Sequence, residues 1–390
     1  MRRAAQAAVR VHETVAEIGR EAWDTCNDAS DYGGNPFTSF DFLHALEESG
    51  CVSAPNGWAP QHLSVQDDAG RTMGVMPLYL KSHSQGEYVF DHAWANAYMQ
   101  AGGRYYPKLQ CAVPFSPVTG PRLIVREDAT DRDAVRRTLI AGALTLTDRL
   151  GASSLHVTFP REDDWRALGA AGLLQRQDQQ YHWANAGYAT FDDFLAALSS
   201  NRRKTIRRER RDAQAGLEIV ALTGADLHEE HWDAFFAFYM DTGSRKYGRP
   251  YLNRRFFNLL GERMAGRVLL IMARRDGRWI AGALNLIGGV TLYGRNWGAL
   301  VDVPFLHFEL CYYQAIEHAI RLGLKRVEAG AQGEHKIARG YLPSPVYSAH
   351  WIADAALRTP VARYLEQERA AVQGEMDYLA AEYSPFRNED

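Results

Sequence analysis

The chain has 390 residues, 46% hydrophobic and 23% charged, enough for two packed domains and too apolar for a disordered protein. A net charge of −3 excludes a wholesale basic coat, so any nucleic-acid contact must come from a local patch. No stretch carries the roughly 18 or more apolar residues of a membrane span. Arg10, His12 and Glu13 interrupt the start too early for a signal peptide. Cys26, Cys51, Cys111 and Cys311 lie far apart without metal-ligand spacing, so a reduced, cytoplasmic location is expected.

In chain order, "QHLSVQDDAGRTMGVMPLYLK" predicts a hairpin turning near Gly70. Residues 91–120 follow without an obvious strand or helix pattern, and a long, aromatic-rich insertion of this kind is expected to be functional. "DRDAVRRTLIAGALTLTDRL" predicts a helix ended by Gly151, and "SSLHVTF" the strand after it. The second half repeats this order. "RVLLIMARRDGRWIAGALNLIGG" predicts a hairpin on Asp276-Gly277, "VTLYGRNWGAL" a third strand, and Phe305 to Leu322 a helix ended by Gly323. "KRVEAG" reads as a buried strand, "EHKIARGYL" as a short helix, and "VYSAHWIAD" as a last strand after two prolines. From the hairpin glycine to the helix end is 79 positions in the first half and 44 in the second, which assigns 35 extra residues to the insertion. The expected domains are 1–187, carrying the 91–120 insertion, and 188–390, both of mixed α/β class.

Several stretches concentrate chemistry. "NRRKTIRRERRDA" gathers seven basic residues, and Arg203, Arg207 and Arg210 are expected to meet phosphates of RNA or of an anionic acceptor. A solvated helix is the competing reading. His228 and His231 lack the i, i+4 spacing of a zinc pair and a third ligand, so no metal is expected, and Asp226 reads as a helix N-cap. In the insertion, Trp94, Tyr98, Tyr105, Tyr106 and Lys108 have the composition of a small-molecule pocket. Asp91 there is the candidate general base. The loop "DTGSRKYGRPYLN" offers Arg245 and Tyr247 for binding. Finally, "EAGAQGEHKIARGYLP" sets Glu328, Gln332, Glu334, His335, Lys336 and Arg339 where a strand ends, among glycines that let a substrate approach the backbone.

The order hairpin, strand, long helix, strand, helix, strand resembles a GNAT acyltransferase domain, here twice in tandem. Over "NPFTSFDFLHALEESG", "VFDHAWANAYMQAGGRYYPKLQCAVPFSPVTGPRL" and "FYMDTGSRKYGRPYLNRRFF" the sequence resembles the Fem-type, or FemAB-like, branch. That branch comprises the aminoacyl-tRNA-dependent transferases of peptidoglycan synthesis. The resemblance implies an acyltransferase or aminoacyltransferase that forms an amide on an amine-bearing small molecule or cell-wall precursor, with no cofactor besides its donor. It implies Lys336 as the catalytic partner of the oxyanion, and the imidazole of His335 beside it is expected to move a proton. Arg339 would face the donor's phosphates or carboxylate, and Glu328 and Glu334 would hold these cations. Acyl-CoA enzymes of the GNAT class seat a pyrophosphate on a glycine-rich turn before the long helix. Here "ALVDVPFLHFE" places Asp302 and Pro304 at that turn, adding negative charge and removing a backbone donor. This favours aminoacyl-tRNA over acyl-CoA. A CoA bound in another way and a non-catalytic RNA-binding or scaffold protein remain as alternatives.

Overall fold

A computed structural model describes residues 8–27, 34–246, 250–330 and 333–387 of the chain. The protein forms two compact units, each drawing on two separated stretches: residues 1–178 with 345–374, and residues 179–344 with 375–390.

In the first unit, strands Ala8–His12, His62–Gln66, Thr72–Met76 and Ile124–Val125 make an antiparallel sheet. The expected hairpin is present, with Gly70 at φ +79°, where a glycine turns without strain. A second sheet orders Trp58–Pro60, Leu78–Lys81, Lys108–Cys111 and Ser154–Thr158, and residues Ser348–Ile352 pair beside the last of these. Helix Arg132–Arg149, N-capped by Asp131, buries Leu139, Ile140, Ala143 and Leu146 among Leu63, Leu109, Leu155 and Val157. Fully burying a side chain of this size contributes about 1.5–3 kcal/mol.

The insertion is not irregular. It contains helix His92–Gln100 and strand Lys108–Cys111, which runs parallel to Ser154–Thr158. That strand is the first unit's counterpart of Thr291–Ala299, which runs parallel to Arg326–Glu328 in the second. Its polar residues hid it. Lys108 and Gln110 are fully buried but carry hydrogen bonds, so the strand never shows the apolar run by which buried strands are recognised.

The second unit's sheet runs Glu218–Leu222, Val268–Arg275, Arg278–Ile287, Thr291–Ala299, Arg326–Glu328 and then the end of strand Leu174–Ala184. Asp276 at φ +50° and Gly277 at φ +74° make the left-handed pair that a two-residue hairpin requires. The long helix is composite: Leu306–Phe308, a π-helical stretch Glu309–Tyr313, and Gln314–Arg321. It packs Leu310, Tyr313, Ile316 and Ala319 into a core with Ile271, Ala283, Leu292 and Val327.

Two local expectations change. Asp226 is not an N-cap: it closes a 3₁₀ turn, Gly224–Asp226, and helix Glu229–Lys246 starts three residues later. The His228 N–H donates instead to His231 Nδ1 at 3.1 Å, which uses that imidazole as a helix-end acceptor. The last strand, Leu342–Ile352, starts before its prolines and takes in Pro343 and Pro345.

Candidate active site at a diverging strand pair

In the second unit, three residue pairs hold Thr291–Ala299 parallel to Arg326–Glu328, the last being Tyr293 with Glu328. Beyond it the first strand continues to Ala299 while the second stops, so the sheet opens. The chain leaves Glu328 through Gly330 at φ +79° and Gly333 at φ +114°, then enters the 3₁₀ turn Glu334–Arg339. Both glycines sit where a side chain would be strained.

Lys336 is buried in this turn, and its Nζ donates to the Gly330 carbonyl at 2.9 Å. Burial pushes its ammonium down to about 8, so it is charged at neutral pH but yields its proton readily. Glu328 is buried, lies 3.4 Å from Arg326 Nε, and is the cross-strand partner of His182. Burial, then Arg326 and Lys336, push His182 down to about 3, which keeps it neutral. His335 is exposed, with Nε2 3.0 Å from the Tyr312 hydroxyl. Burial of its ring, with Arg339 and Lys336, lowers its pKa, leaving a neutral imidazole able to take up a proton. Glu334 is exposed. Arg339 points away from any donor: Nη2 donates to both Glu209 oxygens at 2.9 Å and Nη1 to the His335 carbonyl at 2.8 Å.

The first unit has the same parallel pair, but there the opening is filled by the chain itself. The Gly120 N–H donates to the Phe159 carbonyl at 3.1 Å, and the Gly120 carbonyl accepts from Arg161 N–H at 3.1 Å. Arg122, fully buried, donates to the carbonyls of Thr158 at 2.9 Å, Val118 at 2.8 Å and Pro121 at 3.2 Å. Backbone that a donor would meet is already hydrogen-bonded.

The insertion's residues are largely spent on packing. Asp91, buried, pairs with Lys108 and accepts from the Tyr105 hydroxyl at 2.8 Å. Burial alone would raise its pKa, but Lys108 and His156 outweigh it and hold the carboxyl well below the usual range. A carboxylate so held is a poor proton acceptor, which removes the reason for making Asp91 the base. Lys108 also donates to Glu87 at 2.7 Å and Ser84 at 2.8 Å, and sits directly across from Lys81, also fully buried. Tyr106 bonds Ser84 at 2.8 Å, Tyr98 bonds Asp354 at 3.1 Å, and Trp94 and Tyr105 pack with Ile352, Val361 and Leu365. Behind them His156 and His350 meet ring to ring, Nδ1 to Nδ1 at 2.7 Å.

Helix Ser200–Gln214 sorts the basic stretch. Arg210 turns inward to Glu309 at 3.0 Å and Glu317 at 2.7 Å, Arg207 reaches Asp192 at 3.3 Å, and Arg203 is half-buried. Arg202, Lys204, Arg207, Arg208 and Arg211 face solvent. Arg245 bonds Asp241 and the Ala299 carbonyl, the latter at 2.9 Å. Tyr247 and Gln332 lie outside the described residues. No group of three or more metal-ligating side chains occurs among the described residues, and none of their helices is long and apolar enough to cross a membrane. Glu209, Tyr312, His182 and Arg122 carried no local signal, because their partners are distant in sequence.

The profile of the FemAB-like family, described as peptidoglycan biosynthesis/recognition, matches residues 14–388. The chain belongs to the FemAB-like family. Membership makes it a transferase of acyl or aminoacyl groups. Among solved structures it is similar to FemX, at 12% identity and a TM-score of 0.55, over 91% of this chain and 100% of that one. It is similar also to the C-terminal domain of a putative lysylphosphatidylglycerol synthetase from Agrobacterium fabrum, at 10% identity and a TM-score of 0.52, covering 90% and 96%. A conserved protein of unknown function from Bacteroides thetaiotaomicron gives 12% identity and a TM-score of 0.51, covering 88% and 99%. At these identities the likeness is one of fold. No curated protein matches the chain.

Proposed function

We propose that this FemAB-like protein transfers an aminoacyl group from an aminoacyl-tRNA-type donor to the amine of a peptidoglycan precursor, at the open strand pair of the second unit. The acceptor amine attacks the ester carbonyl carbon, a C–N bond forms, and the carbonyl oxygen becomes an oxyanion. Lys336 donates to that oxyanion. The amine's proton passes to His335; the oxyanion then re-forms the carbonyl, the C–O bond to the ribose breaks, and the leaving ribose oxygen takes that proton from His335. The observation that carries this reading is Lys336, a buried ammonium set beside the sheet opening with one of its three N–H donors spent on Gly330. The choice of donor is supported by the start of the long helix, where Pro304 lacks an N–H and Phe305 is left-handed at φ +64°. That is poor ground for a pyrophosphate cradle. The exposed cations Arg202, Lys204 and Arg208 offer a phosphate-tracking face for tRNA.

The test is transfer from charged tRNA to cell-wall precursors, followed by mass spectrometry, with Lys336→Met alongside. Loss of an oxyanion partner should lower kcat by roughly 10²–10³ with little change in Tm. Retention of most of the activity would place the chemistry elsewhere.

A further inference from the structure

The turn that carries Lys336 is held by residues far away in sequence. Glu209 lies on the inward side of helix Ser200–Gln214 and is buried. Both its oxygens accept from Arg339 Nη2 at 2.9 Å, and the Tyr313 hydroxyl donates to Oε2. Arg339 passes the constraint on: its Nη1 donates to the His335 carbonyl at 2.8 Å, and its guanidinium lies 3.5 Å over the Phe308 ring. That carbonyl belongs to the peptide bond joining His335 to Lys336, so its direction sets where the lysine leaves the turn.

The π-helical stretch Glu309–Tyr313 completes the grip. Widening the helix lets neighbouring residues reach different elements, and such stretches recur at functional sites. Here Tyr312 meets His335 at 3.0 Å while Tyr313 meets Glu209. A buried ion pair is a poor route to stability, since apolar residues of the same volume often do as well. Fixing an orientation is what such a pair does better. An arginine fork suits that task because it can hold a carboxylate and a carbonyl at once.

We propose that Glu209 is a positioning residue for Lys336: through Arg339 it fixes the His335–Lys336 peptide and keeps the Lys336 ammonium buried at the open sheet. The purpose of this arrangement rests on the functional reading above; its geometry does not.

The experiment uses the full chain and needs no substrate. Competitive labelling with acetic anhydride across pH, resolved by peptide mapping, reports rate and pKa for each of the six lysines. In Glu209→Gln, the pKa of Lys336 should rise toward the ordinary lysine range as the ammonium meets water, and its labelling rate extrapolated to the fully deprotonated amine should rise about fivefold or more. Lys81 and Lys108, fully buried in the first unit, must stay slow, which certifies the fold there. Arg339→Lys keeps the charge but loses the fork, and should shift Lys336 the same way. If Glu209→Gln does not fold, Arg339→Lys carries the test. Unchanged labelling and pKa of Lys336 in either folded variant overturns the proposal. With transfer activity in hand, both variants should lower kcat at constant KM. A Lys336 that loosens as described in a protein that transfers nothing would overturn the functional reading and leave the positioning role standing.

Discussion

Acid should destabilise this protein through histidines that its folds have buried. His156 is fully enclosed, with Nδ1 2.7 Å from His350 and Nε2 2.8 Å from the Ser154 hydroxyl. Burial, then Lys108, push it down to about 3 from an ordinary 6.5. The folded state therefore binds fewer protons than the unfolded one at any pH between these values. Stability is intact above the unfolded value of 6.5 and falls as pH drops below it, levelling near 3. At pH 5 the loss is about 1.5 pH units at 1.36 kcal/mol each, or roughly 2 kcal/mol from this one ring. His182, also down to about 3, and His350, pushed well below its ordinary value, act in the same direction. Glu87 acts oppositely: burial lifts it to about 7, so it takes up a proton in the folded state first and offsets part of the loss. A difference measurement removes that offset. His156→Gln keeps polar atoms in the cavity without a titrating ring. Urea unfolding of both proteins at pH 7.5 and pH 5.0 should show the variant gaining roughly 2 kcal/mol on the wild type over that interval. An equal drop in both proteins would mean His156 is not held neutral, and the reasoning fails.

Other outcomes can be stated more briefly. Asp91→Asn should cost about 3–5 kcal/mol, because it strips the buried Lys108 of a charged partner, and should show as a fall in Tm rather than in turnover by the remaining folded protein. Neutralising Arg202, Lys204 and Arg208 should weaken tRNA binding and lower the salt slope by roughly 0.7–0.9 per lost phosphate contact. Arg210→Ala should instead destabilise, since it leaves Glu309 buried without its cation; unchanged stability would return Arg210 to the binding face. Acetyl-CoA should bind in the millimolar range or not at all by calorimetry, and a tight complex at residues 302–309 would restore a CoA donor.

Much of the fold could be read from local pattern. The hairpins at Gly70 and Asp276-Gly277 follow from residues that accept left-handed backbone, and the two long helices from apolar spacing ended by Gly151 and Gly323. Strand Lys108–Cys111 could not be read that way. Its burial is stabilised by Glu87 and Asp91, which a window of a few residues cannot connect to it. The π-helical stretch was equally hidden inside ordinary helical spacing. At the site, the cluster of Lys336, His335 and Arg339 was visible as composition, but not the division of labour within it. Glu209 stands 130 positions from Arg339, and only that contact shows which cation is free to work and which is tied down.

The interleaving of the two units has a consequence for synthesis on the ribosome. Thr158 pairs with Ser348, which emerges 190 positions later. At ~5–20 residues per second, the edge of strand Ser154–Thr158 stays bare for roughly 10–40 s. The second unit waits as well, since Ser199 N–H and the Ala197 carbonyl bond to Pro385 and Arg387 at the very end of the chain. Neither unit can close around its core while the other is still being made. A nascent chain stopped before residue 348 would carry an unpaired strand edge, an open invitation to pair with the edge of another copy.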